Sequence, residues 1–430
     1  MAHSDSLAKD PIGDSVTQRH IGGALQGQTD MPGDARLQRR LKVLSLSCLY
    51  PNSQLPGQGL FVQARVRAMN TAADVMVVQP VELPDYSQQP GSWFEGRSLP
   101  RRSQDGGLDV WRPRWWHPPG AGASNSIYLA AGVLPLVRKL HRQRQFDIID
   151  AHFGQPTGVA AAILSAALRI PFAVTIRGSE VVHARYPARK RFMAWSFRRA
   201  ARVIAVSQRL REFALSLGAL PERTVVIPNG VDRSVFHPMD RAACRDKYQI
   251  AQNEKVILSA GHLFELKGHH RIVRALTAIP QATLLIAGDA DRAADFTGRI
   301  RQEISACGVE SRVRLLGHVR QNELAELMNA ADLFCLASSR EGWPNVVHEA
   351  LSCGTPVVAT DVGAIPEMLP SAELGQIVPP DNVEALTAAL SQAIVKDWDR
   401  GRISTWGESR SWETVGREVI GQFADFVSAS

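Results

Sequence analysis

No two of the five cysteines, Cys48, Cys244, Cys307, Cys335 and Cys353, form a C-x-x-C pair. That excludes a zinc ribbon or a thioredoxin-like redox centre, and the scatter of these residues fits reduced structural thiols in a cytosol-like compartment. No apolar run reaches the roughly 18 residues a spanning helix requires. The longest candidate, 127–137, is broken by Gly132 and Pro135. The N-terminus lacks the apolar core of a signal peptide, so a cytoplasmic protein is expected. Residues 1–36, rich in Asp, Gln, Gly and Ser, are expected instead to be a polar, disordered lead-in. Charge is sparse as well, at 21% of 430 residues against 45% hydrophobic, which excludes a disordered chain. Because single cores stop growing near ~250–300 residues, this length calls for two domains. The net charge of +7 admits nucleic acid, anionic lipid or a phosphorylated substrate without choosing among them.

From Leu41 onward, short β-branched runs alternate with helical periodicity, the pattern of parallel sheets wrapped by helices. Six runs fall in the first half: 42–46, 75–78, 148–151, 172–176, 203–206 and 225–227. The rhythm restarts with six more: 256–260, 283–287, 313–316, 333–336, 357–359 and 376–378. Pro228-Asn229-Gly230-Val231-Asp232 forms a turn-rich joint between two doubly wound α/β units. The expected domains are 37–230, joined by the helix 410–430, and 231–409. Ligands of open parallel sheets bind beyond the C-terminal strand ends, so chemistry is expected in the loops that follow them.

After 333–336 comes Ser338-Ser339-Arg340-Glu341-Gly342-Trp343-Pro344-Asn345-Val346-Val347-His348-Glu349, then a helix closed by Gly354 and Pro356. A helix N-terminus at Pro344 offers free N–H groups and partial positive charge to a diphosphate. Carboxylates accept hydrogen bonds from hydroxyl pairs, so Glu349 suits a ribose and Glu341 a reacting sugar. A bland alternative is that both acids merely favour the helix N-terminus.

The stretch from Glu341 through Thr360 resembles the E-x7-E signature of the retaining glycosyltransferases of family 4, which have the GT-B fold. Pro228–Asp232 and Asp361-Val362-Gly363-Ala364-Ile365-Pro366-Glu367 support the resemblance, which extends from Leu41 to the C-terminus. It implies that Glu349 binds the donor ribose and Glu341 the transferred sugar. It also implies that amides around Trp343, Asn345, Val346 and Val347 meet sugar hydroxyls and phosphates, and that the last helix returns to the first domain.

Gly261-His262-Leu263-Phe264-Glu265-Leu266-Lys267-Gly268 places Lys267 to neutralise a leaving diphosphate. The family's pattern has arginine where this chain has His262. An imidazole lacks the bidentate fork, so Lys267 is expected to dominate, helped by a protonated His262 or by Arg340. Gly57-Gln58-Gly59 is a poor dinucleotide fingerprint, since Val62 occupies the third glycine position. It resembles instead the family's glycine loop facing donor phosphates, with Gly59 the best candidate. The family places a histidine at His152 against the transferred sugar, and Arg177 and Glu180 lie in a segment similar to its acceptor side.

Asp289-Ala290-Asp291 has D-x-D form, but no third ligand accompanies it, and no metal is expected. Arg185, Arg189, Lys190, Arg191, Arg198, Arg199 and Arg202 interleave with Phe192, Met193, Trp195 and Phe197, suggesting an anionic membrane surface as partner. Packing of that helix on its own sheet is the alternative. Trp111, Trp115 and Trp116 are candidates for an acceptor platform or a packed loop. The resulting expectation is a retaining hexosyltransferase that uses a nucleotide diphosphate sugar and a glycan or lipid-linked acceptor. Its rivals are a nucleotide-sugar epimerase and a basic nucleic-acid-binding protein, the latter weakened by the lack of a basic-aromatic sheet motif.

Overall fold

The computed structural model describes residues 39–86, 88, 90–289 and 295–428. The polar lead-in 1–36 and Asp291 of the D-x-D stretch lie outside them. Residues 40–430 form one compact unit.

Among the described residues, ten strands belong to the first half: β1 (Lys42–Leu46), β2 (Asp74–Val78), β3 (Val81–Glu82), β4 (Arg102–Asp105), β5 (Leu108–Trp111), β6 (Arg114–Trp115), β7 (Ile148–His152), β8 (Phe172–Ile176), β9 (Arg202–Ala205) and β10 (Thr224–Val226). Eight of them make one sheet in the order β10-β9-β8-β7-β1-β2-β5-β4, and β3 pairs with β6 separately. The second half has β11 (Lys255–Ala260), β12 (Ala282–Ala287), β13 (Val313–Gly317), β14 (Leu333–Leu336), β15 (Val357–Thr360) and β16 (Gly375–Val378). These form a six-stranded sheet in the order β13-β12-β11-β14-β15-β16. Each expected run becomes a strand within a residue or two of its anticipated place. The first half departs from six strands because the hairpin β4–β5 and the short pair β3–β6 also form. The hairpin turns on Gly106-Gly107, a two-residue connection that antiparallel strands favour.

Strand side chains alternate between faces, and both faces are covered, which is why these runs are apolar throughout. Leu44 and Leu46 of β1 join one core with Met76 and Val78, while Val43 joins the opposite core with Val75 and Val77. In β11, Val256, Leu258 and Ala260 face one core and Ile257 the other. The last helix, Trp412–Ser428, buries the stripe Trp412, Val415, Val419 and Phe423 in the first half's core. There it lies against the helix Leu60–Ala72 so closely that a Cβ on Gly416 would stand 2.7 Å from the Ala68 carbonyl carbon.

The basic helix Pro187–Arg199 corrects one expectation. Met193 and Phe197 are fully buried, and Phe192 and Trp195 pack on the same core, so its apolar residues are structural and not bilayer anchors. Trp115 is likewise buried, and Trp111 lies under the Arg102 guanidinium, so neither forms an open acceptor platform. No helix among the described residues is long and apolar enough to cross a membrane.

Candidate active site

In the second half, the loop after β14 and the helix Asn345–Ser352 bring the expected residues together. Pro344 is the cap and not the first helical residue. Asn345 and Val346, opening the helix, have no intrahelical acceptor for their N–H groups. Val347 differs from expectation, because its amide donates to Pro344 O at 3.0 Å and its side chain is fully buried. The Lys267 ammonium donates to Glu341 Oε1 at 2.7 Å, and Ser338 Oγ donates to the same oxygen at 2.8 Å. Glu341 Oε2 has no hydrogen-bond partner among the described residues. Lys267 and Glu341 are therefore brought together at one place.

Glu349 faces no cation, and its carboxylate has no partner among the described residues. Burial pushes its pKa up to about 7. Glu349 is half-buried, so its raised pKa reflects partial loss of water around a carboxylate whose acceptor positions are open. Trp343 packs against cores of both halves, and its indole N–H is buried without an acceptor. His262 is exposed and stacks on Phe264, with ring centroids 5.4 Å apart. Arg340 is exposed nearby in sequence to Glu341.

The first half meets this loop through backbone. A Cβ on Gly342 would lie 1.8 Å from Arg177 O, so only glycine permits the approach. Beyond it, Ala364 N donates to Gly342 O at 3.0 Å. Two further ties hold the segment after β15 to the first half: Arg209 pairs with Asp361 at 2.7 Å, and Glu367 accepts the Gln208 amide at 2.9 Å. Gly59 caps the helix Leu60–Ala72 at φ +74°, where a Cβ would strike the Leu49 carbonyl carbon at 2.7 Å.

Behind the cleft lies a buried polar chain that sequence reasoning did not assemble. Arg65, on the helix Leu60–Ala72, pairs with Asp150 at 2.9 Å, and both are essentially inaccessible. Burial alone would raise the Asp150 pKa, but Arg65 and then His152 outweigh it and hold it at about 2. His152 Nε2 stands 3.1 Å from Ser45 Oγ and 3.3 Å from Asp150 Oδ2. Arg177 Nη2 lies 3.3 Å from His152 Nδ1. A guanidinium only donates, so Nδ1 accepts and the ring proton sits on Nε2. Burial lowers the His152 pKa to about 4. Arg177 also donates to Asn229 Oδ1 at 2.6 Å, and Asn229 Nδ2 donates to Asn345 Oδ1 at 2.9 Å. The chain thus ends on the first residue of the Asn345–Ser352 helix.

Two expectations change here. His152 is wholly buried with both nitrogens engaged, so in this conformation it positions Arg177 and offers no free nitrogen to a sugar. Glu180 is fully buried, and its oxygens accept the amides of Gly154 (2.8 Å), Arg177 (3.1 Å) and Gly178 (2.8 Å). It shapes the loop after β8 and, being fully buried, is out of reach of an acceptor sugar. Asp150 was findable, since an acid inside an otherwise apolar strand needs a cation, and it shares a strand face with His152. Among the described residues, no three His, Cys, Asp or Glu side chains converge as a metal site.

Residues 240–409 match the family model "Glycosyl transferases group 1", and residues 72–235 match "Glycosyltransferase Family 4". The chain is 27% identical over 366 residues to TuaC of Bacillus subtilis, a protein named for a glycosyltransferase role in teichuronic acid biosynthesis. That match covers 82% of this chain and 89% of the relative. The fold is that of sucrose-phosphate synthase from Thermosynechococcus elongatus, with TM-score 0.72, 19% identity, and 91% of this chain and 100% of that one covered. It is also that of Anabaena HepE in complex with UDP and glucose, with TM-score 0.68, 23% identity and the same coverage. The two sheets are those of a GT-B protein.

Proposed function

The chain belongs to glycosyltransferase family 4, and from that premise we propose that it moves a hexosyl unit from a nucleotide diphosphate sugar to a hydroxyl acceptor, with retention at the anomeric carbon. The observation that carries this reading is one constellation: the Lys267–Glu341 pair, the open N-terminus of the Asn345–Ser352 helix, and Glu349 without a partner.

In this reading the diphosphate sits against the first amides of that helix and Lys267, where dipole and ammonium take up its charge as it leaves. No metal is needed for that task. Glu349 accepts the ribose hydroxyls, and the transferred sugar meets Glu341 Oε2. Binding draws Lys267 partly away from Glu341 toward phosphate, which frees that carboxylate for sugar hydroxyls. The acceptor oxygen bonds to the anomeric carbon as the bond to the diphosphate oxygen breaks, and the departing electron pair stays on the diphosphate. The acceptor's proton passes to that same phosphate. This route is favoured because Glu180 and Asp150 are buried and engaged, by amides and by Arg65, while Glu341 and Glu349 are assigned here to hydroxyl groups of the donor.

The acceptor is a growing glycan, free or lipid-linked, in polysaccharide assembly in the cytoplasm, as the teichuronic acid relative suggests. A thermal-shift screen of nucleotide sugars tests the donor, since a ligand at 100 times its dissociation constant adds ~2.7 kcal/mol. Mass analysis and NMR of the product with the best donor then separate transfer from epimerisation and retention from inversion. Release of free epimerised sugar, or a product of inverted anomeric configuration, contradicts the reading.

A further inference from the structure

Charge is distributed unevenly along this chain. Residues 110–211 hold seventeen Lys and Arg against three Asp and Glu, whereas the whole chain holds 49 against 42. Two of those three acids, Asp150 and Glu180, are fully buried. Between Glu180 and Glu212 there is no acid at all, and Arg185, Lys190 and Arg191 are exposed there.

Exposed large apolar residues gather in the same region. Trp116, Ile127, Val181 and Tyr186 are 38–56% exposed. Arg189 ties their elements together. Its Nε donates to Gly122 O at 3.1 Å just before the helix Asn125–Arg144, its Nη1 lies 3.0 Å from His183 Nδ1, and its guanidinium stands 5.0 Å from the Tyr186 ring centroid. Trp116 meets Tyr128 edge-on at 6.4 Å, beside Ile127. Val181 stands three residues beyond Gly178, where a Cβ would lie 3.0 Å from Gly342 Cα. The patch therefore borders the site.

We infer that this face, formed by Trp116, Ile127, Val181 and Tyr186 with the exposed Arg185, Lys190 and Arg191, seats the protein on an anionic bilayer with the Gly178–Gly342 edge of the site close to the lipid. Ile127 and Val181 have no π-face with which to stack on a base or a sugar, but they enter an acyl boundary readily. Trp and Tyr favour the headgroup level, where an apolar body and a polar tip are both satisfied. Juxtamembrane cations are attracted by anionic headgroups. Delivery of a lipid-linked acceptor from that bilayer rests on the transferase reading above, whereas attachment to the bilayer does not.

The test is cosedimentation of the full chain with vesicles of phosphatidylcholine alone or with 30% phosphatidylglycerol, together with donor binding on the same samples. Binding is expected to the anionic vesicles only and to weaken in high salt. Arg185→Glu/Lys190→Glu/Arg191→Glu should lower partitioning at least about a hundredfold, since each cation is worth about fivefold. Ile127→Ser/Val181→Ser should lower it several-fold with donor binding intact, and Arg299→Glu/Arg301→Glu, in the second half, should leave it unchanged. Equal binding to neutral vesicles, no vesicle binding by protein that still binds donor, or triple-variant loss of heparin binding alone would overturn the proposal. Failure of donor binding with vesicle binding intact would sink the transferase reading instead.

Discussion

The two halves of the site treat charge in opposite ways. In the first half, Arg65, Asp150, His152 and Arg177 are buried and linked to one another. In the second, Glu341 keeps one oxygen open and the half-buried Glu349 has no side-chain partner among the described residues. Burying an ion is tolerated only when partners replace water. The first half has those partners built in and so acts as a rigid backing. The second has no such partners for Glu349, and on the proposed function a ligand would supply them, which would set stability against affinity.

The strongest challenge to this contrast is Asp150→Ala, which leaves Arg65 buried and uncompensated. It should cost about 3–5 kcal/mol of stability in denaturant unfolding, and a cost near zero would mean the network is not a unit. Glu349→Gln should act in the reverse sense. The carboxyl's pKa is raised from an unfolded value of 4.5 to about 7, so its ionisation destabilises the fold progressively as pH rises from about 4.5 through 7. At pH 8 the glutamine variant should gain stability, by at most about 3 kcal/mol, while losing donor affinity.

Lys267→Ala sharpens the comparison further. It should reduce donor affinity or rate about tenfold to a hundredfold, by ~1.5–3 kcal/mol, with a much smaller change in unfolding, because the pair is partly exposed. Acid should affect His152, His269 and His348, whose pKa values burial lowers to about 4. The unfolded chain binds their protons first, so this part of the stability is present above pH 6.5 and is lost as pH falls toward 4. Glu349 opposes that slope between about pH 4.5 and 7, and Glu349→Gln should steepen it. The smallest effect expected is that of Arg209→Ala, an exposed pair with Asp361, at ~1 kcal/mol or less.

What was legible followed from periodicity. Strands buried on both faces read as β-branched runs, whereas the expectation of a donor site at Glu341, Glu349 and Lys267 rested on the family resemblance as well as on the loops they occupy. The hairpin Arg102–Trp111 was missed because Arg102-Ser103-Gln104-Asp105 forms a polar edge strand, although Gly106-Gly107 marked the turn. Arg65 was missed because an arginine in an amphipathic helix resembles a surface residue until its carboxylate is located. Glu180 was misassigned for the complementary reason. Sequence displays its charge but not the amides of Gly154, Arg177 and Gly178 that consume it. Partners brought together by the fold lie beyond local pattern, whereas elements and their ends lie within it.

On the proposed function Glu349, with its raised pKa, grips the donor at the Asn345–Ser352 helix. Calorimetric titration of the best nucleotide sugar from pH 5.5 to 8.5 tests it most directly, because the diphosphate diester itself does not titrate there. Affinity should rise with pH through about 7 in the native chain and be weak and flat in Glu349→Gln. The same profile in both proteins would contradict the account.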